Sequence, residues 1–172
     1  MLLRNLLVVL SLVLSIGLCN AQSAPVKPIE PTAFGVVYLL DPTSLELKRL
    51  PDEKWKQKDQ GKTFRSEMSI YVEVSGDRSY FRLKADTRFE FVFKTENPEK
   101  VTLYRFEEKD NNRQFEIGVR SDNYSNASHI KGLPIKVSQF GASSSKLIPA
   151  SPFTPGEYAI MIAGEVYTFG ID

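Results

Sequence analysis

Hydrophobic and polar residues alternate along most of this chain in short runs, and turn residues interrupt the runs at spacings of about ten positions, the pattern of an all-β protein. Phe34-Gly35-Val36-Val37-Tyr38-Leu39-Leu40 is almost continuously apolar and predicts a buried strand. Asp41 to Ser44 supplies a turn, and Leu45 to Leu50 resumes with partial alternation, so the two runs read as a hairpin ended by Pro51. Met68, Ile70, Val72 and Val74 fall on one face of a further strand, with Ser69, Tyr71 and Glu73 on the other. Ser75-Gly76-Asp77 is a turn signal, after which Tyr80-Phe81-Arg82-Leu83 resumes the strand pattern. Phe89, Phe91 and Phe93 share one face of the next run and are expected in the core. Val101 to Phe106 and Gln114 to Val119 flank Lys109-Asp110-Asn111-Asn112. Asn-rich turns tolerate left-handed backbone, so this is a second hairpin.

Other segments are less regular. Asp52 to Gly61 is polar and lysine-rich around the lone Trp55, and reads as one turn of helix or a loop. Ser121 to Gly132 is the longest polar loop. Leu133 to Ser138 and Ser145 to Ile148 are weaker strands around Gly141. The last stretch is the most organised: Pro155-Gly156 reverses the chain, Tyr158 enters a strand two residues later, and Val166 to Ile171 forms a final strand. A Tyr so placed can swing its ring under a sandwich core and hydrogen-bond the backbone just upstream. The fold class expected is therefore all-β, an immunoglobulin-like Greek-key β-sandwich, with a small β-barrel as the alternative. One domain is expected over residues 34–172.

The first residues read differently. Arg4 precedes an apolar run from Leu6 to Leu18, and Cys19-Asn20-Ala21 offers small residues where signal peptidase acts. Residues 1–21 are expected to be a signal peptide cleaved after Ala21, with Ala24 as second choice. The run is shorter than the roughly 18 residues of a membrane span, so no integral span is expected in the mature chain. Lipidation of Cys19 is the rival reading, opposed by the large Leu18 before it. Pro25, Pro28 and Pro31 make residues 22–33 an extended, flexible tether.

Charge then narrows the function. Removing 21 of 172 residues takes away Arg4 and the only cysteine, leaving 21 basic and 21 acidic side chains. A neutral surface argues against nucleic acid and anionic membrane. Without cysteine there is no disulfide framework, so stability rests on a core.

Two stretches carry a resemblance. Gly141 to Pro152 leading into Pro155-Gly156-Glu157-Tyr158-Ala159, with the Phe169-Gly170-Ile171-Asp172 ending, resembles the tail of a group of exported, β-rich bacterial proteins. Val37-Tyr38-Leu39-Leu40-Asp41 followed by Leu50 is similar to their first hairpin. The resemblance implies a bacterial, exported β protein, periplasmic or extracellular. The group carries no known activity, so it assigns no site.

Candidate chemistry is sparse. His129 is the only histidine; it lies beside Ser128 with no neighbouring carboxylate and reads as an exposed loop residue rather than a catalytic base. Cys/His metal sites lack the residues, and Asp52-Glu53 and Asp110-Asn111-Asn112 lack the alternating acids of a calcium loop. Glu67, Glu73, Glu90, Glu107, Glu108 and Glu116 read as solvated charges on polar faces, so no glycosidase pair stands out. Asn123-Tyr124-Ser125 and Asn126-Ala127-Ser128 match the glycosylation pattern by chance composition. Trp55, Tyr71 and Tyr104, with Phe106, are candidate outward aromatics, although Trp55 also suits capping one end of the sandwich. Pro155, Gly156 and Tyr158 are the structural corner. The expectation is a non-catalytic binding or structural protein without a cofactor. Its partner is a protein met through a sheet face or edge; a carbohydrate-binding module is the alternative and a small hydrolase the remote one.

Overall fold

The computed structural model describes residues 29–61, 67–85, 88–121, 128–130 and 132–172. The expected leader, residues 22–28 of the tether, Cys19, Asn123 and Asn126 lie outside the described residues. The strands are β1 (Val37–Leu40), β2 (Leu47–Arg49), β3 (Trp55–Gly61), β4 (Glu67–Ser75), β5 (Arg82–Leu83), β6 (Glu90–Phe93), β7 (Thr102–Arg105), β8 (Glu107–Lys109), β9 (Asn112–Ser121), β10 (Ser128–His129), β11 (Ile135–Phe140), β12 (Ser144–Pro149), β13 (Gly156–Ile162) and β14 (Glu165–Ile171). A single 3-10 turn, Pro98–Lys100, is the one helical element among the described residues.

These strands form three open sheets, in the orders β11-β12-β6-β1-β2, β5-β14-β13-β7 and β10-β9-β4-β3, with β8 also paired to β9. The fold is an all-β sandwich and not a closed barrel. Pairing is antiparallel except where β5 lies parallel to β14.

The sheet containing β13 and β14 is the middle layer. One face, through Leu103, Tyr158, Ile160, Phe169 and Ile171, packs on Val37, Phe91, Phe93 and Leu147 of the first sheet. The opposite face, through Tyr104, Ala159 and Val166, packs on Val72, Val74 and Phe115 of the third. Being covered on both sides explains why the C-terminal strands read as nearly continuous apolar runs. Phe89, Phe91 and Phe93 are buried in the first core.

Local chemistry sets the hairpins. β1 and β2 pair with Leu39 opposite Lys48, and the Asp41 carboxylate caps the turn by accepting from the backbone N–H of Thr43 (2.7 Å) and Ser44 (2.9 Å). Those bonds hold the Asp41 carboxyl below its ordinary value. Asp110 and Asn111 take left-handed φ of 52° and 60° between β8 and β9.

Several expectations change. Residues 55–61 are neither helix nor loop but strand β3, paired along β4. Its lysines are held by a residue distant in sequence: Glu73 on β4 is bonded by Lys56 Nζ at 2.8 Å and Lys58 Nζ at 2.7 Å. Glu73 is 3% exposed rather than solvated, and the Lys56 and Lys58 hydrogen bonds lower its pKa. The hairpin around Asp110 is made by β8 and β9, because the chain changes sheets at Phe106 between β7 and β8. His129 lies in β10, opposite Gly118, rather than in a loop. The folded part also begins before Phe34. The Glu30 carboxylate accepts from the N–H groups of Ala142 and Ser143, both at 2.8 Å, and from the hydroxyls of Ser143 and Ser144. Pro31 behind it is buried, so the expected flexible tether does not extend to residue 33.

Candidate functional site

Tyr80 is 95% exposed, and it stands on a short connection that is otherwise fastened down. The connection runs from the end of β4 to β5. Arg113, on β9, is only 1% exposed and reaches under it. Its Nε donates to the Gly76 carbonyl at 3.0 Å, Nη1 donates to Ser79 Oγ, and Nη2 donates to Glu53 Oε2 at 2.6 Å. The guanidinium also lies 5.2 Å from the Phe106 ring centroid. From the middle sheet, Glu157 Oε2 accepts from the Ser79 N–H at 2.7 Å. Its other oxygen accepts from Arg82 Nη1.

The remaining partners complete a chain of alternating charge. Arg82 Nη2 meets Asp172 Oδ1 at 2.5 Å, and Arg78 Nη2 donates to the same oxygen at 3.2 Å. The Arg82 bond lowers the Asp172 pKa, and Asp172 followed by Glu157 holds Arg82 more firmly protonated. Thr168 donates its hydroxyl to Glu53 Oε1. The Phe81 carbonyl accepts from the Gly170 N–H at 2.8 Å. Buried charges persist only when paired and hydrogen-bonded, and here each buried acid has a cation and further donors.

The consequence is an exposed aromatic carried on a connection whose neighbouring residues are held. Ser79 is 3% exposed and Phe81 half-buried, while Tyr80 between them projects into solvent. Tyr80 and Phe81 line a shallow hollow with Lys48, Arg49, Leu50 and Pro51. Lys48 Nζ sits 4.8 Å from the Phe81 ring centroid. Rigid aromatic rings beside an arginine and an apolar hollow are the residue types that dominate protein contacts.

The aromatics singled out in the sequence do not make a platform. Tyr104 is buried rather than outward, its ring stacked on Phe115 with centroids 4.3 Å apart. Phe106 is buried beside them. Trp55 is half-buried against the same core, and its Nε1–H donates to the Gly164 carbonyl at 3.1 Å. Trp55 pairs with Val74, so it shares that residue's core face, whereas Tyr71, three residues from Val74, points to the opposite face. Tyr71 and Trp55 are therefore on different sides of one sheet.

At the C-terminal corner, Tyr158 Oη donates to the Thr154 carbonyl at 2.8 Å, and its ring packs against Phe153 and Phe169. Arg105 Nη2 donates to the Pro155 carbonyl at 2.9 Å. Gly156 has φ of 151°, and a Cβ there would come within 3.1 Å of Arg105 Nη2, so glycine suits the position. Asp52 pairs with Arg49 and Glu53 with Arg113, while Asp110 and Asn111 form a hairpin turn. Among the described residues no group of three or more His, Cys, Asp or Glu converges as a metal site would require.

The sequence pattern places Tyr80 only within a strand run. A signal was present, because Tyr80 and Phe81 are adjacent and strand alternation sends neighbouring side chains to opposite faces. Arg113 had none, since a buried arginine is specified by partners far along the chain. Compared with family models, curated proteins and solved structures, the chain matches none.

Proposed function

We propose that this is an exported, non-catalytic binding protein that seats Tyr80 in a pocket of a protein partner, at a bacterial cell envelope or outside the cell. The observation that carries the reading is a ring 95% exposed on a connection whose flanking residues are bonded to buried groups. Binding orders side chains and loops at a cost of about 0.5–1.5 kcal/mol for each flexible side chain fixed. Holding the connection beforehand removes much of that cost, and a tyrosine offers a large surface with few rotors.

The charged network supports a holding role rather than catalysis. Glu53 and Glu157 are each engaged by an arginine and a second donor, so their oxygens are used in holding the connection. The export part of the reading rests on the leader-like first 21 residues.

The test is a photo-crosslinking amino acid placed at position 80, with exposed Glu99 as the control position, in cells that make the protein. The reading expects one discrete protein adduct from position 80, absent from position 99 and suppressed by excess wild-type protein. No adduct at position 80, or the same adducts at both positions, would contradict it.

A further inference from the structure

We infer that two copies of this chain pair through β11, joining their first sheets into one. The inference does not depend on Tyr80. β11 is an outer strand of its sheet, bonded only to β12 among the described residues. Its register with β12 and the bond from the Ala150 N–H to the Pro134 carbonyl fix which backbone groups face inward. Antiparallel bonded pairs alternate, so Lys136, Ser138 and Phe140 bond to β12. Ile135, Val137 and Gln139 then present their N–H and C=O groups at the open edge.

Another strand is the occupant that matches such a row, because it offers donors and acceptors at the same repeat. A second β11 matches it without conflict. With a two-fold axis at Val137, antiparallel pairing sets Ile135 against Gln139 of the second copy and Val137 against its own equivalent. Each of those pairs exchanges two hydrogen bonds, and every open group of the three residues is used. On the solvent face, Lys136 comes opposite Ser138 of the second copy, so no like charges meet.

The other long outer strand behaves oppositely. For β3, an axis at Gln57 sets Lys56 against Lys58 of the second copy, an axis at Lys58 sets that lysine against itself, and an axis at Asp59 does the same for the aspartate. Every central register meets like charges, the pattern that keeps edges apart. The remaining outer strands β2, β5, β8 and β10 span three residues or fewer, and β7 is covered where the Leu133 N–H donates to the Leu103 carbonyl. Among the described residues, β11 is thus the long edge whose central register sets no like charges directly opposite.

Sedimentation equilibrium of the purified protein, from micromolar to millimolar concentration, tests the pairing. The expected result is a reversible monomer–dimer equilibrium. Val137→Pro removes the two hydrogen bonds at the axis without touching a bond to β12, and weakens the dimer roughly tenfold or more. Ser138→Lys places lysine opposite Lys136 and also weakens it. Adding Lys136→Glu to Ser138→Lys restores pairing, because the opposed residues then carry opposite charge. That restoration reads the register and does not depend on how well the proline variant folds. A protein monomeric throughout the range, or a dimer unchanged by Ser138→Lys, overturns the inference.

Discussion

Replacing Arg113 with methionine keeps much of the side-chain volume and deletes the polar contacts that Arg113 itself makes beneath the Tyr80 connection. The variant loses bonds to the Gly76 carbonyl, Ser79 Oγ and Glu53 Oε2, and its 3.8 Å ion contact to Glu157. Glu157, 4% exposed, keeps Arg82, but Glu53 keeps only Thr168. Removing one member of a buried ion pair costs about 3–5 kcal/mol, mostly because the other charge is stranded. A domain of this kind has about 5–15 kcal/mol of stability in all, so the loss is roughly a fifth or more of it. Urea unfolding measures it, followed by Trp55 fluorescence and by circular dichroism, whose coincidence checks two-state behaviour. Adding Glu53→Gln removes the stranded charge and recovers part of the loss. A loss below about 1 kcal/mol for Arg113→Met would show that the network is not what holds this end of the sandwich together.

Two further outcomes follow from the same geometry. Glu30 carries a pKa lowered from 4.5 to about 2 by the Ala142 and Ser143 N–H groups and then the serine hydroxyls. Because the folded value is the lower one, its contribution is present above pH 4.5 and fades as pH falls toward about 2. Urea midpoints of Glu30→Gln should therefore lie below wild type at neutral pH and converge on it across that window; parallel pH profiles would count against the clamp. Tyr158→Phe loses the bond to the Thr154 carbonyl, and urea unfolding should show a loss of about 0.5–1.5 kcal/mol. A variant as stable as wild type would make Tyr158 a packed ring and nothing more.

Short-range patterns carried much of the architecture into the sequence. Alternation placed Phe89, Phe91 and Phe93 in the core, and Asp41 and the Asp110-Asn111 pair marked hairpin turns, because those signals depend on neighbours a few residues apart. β3 failed the same treatment: its lysines look like solvated loop charge until Glu73 is brought alongside by strand pairing. The outward reading of Tyr104 failed because the middle sheet has two buried faces, so both sides of β7 meet a core and alternation no longer separates inside from outside. The candidate site was the least legible part. Ser79, Arg113 and Glu157 come from three separate stretches and touch only in the folded chain. Tyr80 gains its meaning from them, since its exposure is informative only when its neighbours are fixed.

The most direct test of the binding account is co-purification of tagged wild-type protein and Tyr80→Ala from cells that make them, alongside their urea unfolding curves. Tyr80 is 95% exposed, so the substitution should leave stability within about 0.5 kcal/mol. The account predicts matching unfolding curves and loss of a protein partner that wild type retains. Equal recovery of the same partner by both proteins would contradict it, and would place the contact on another surface of the sandwich.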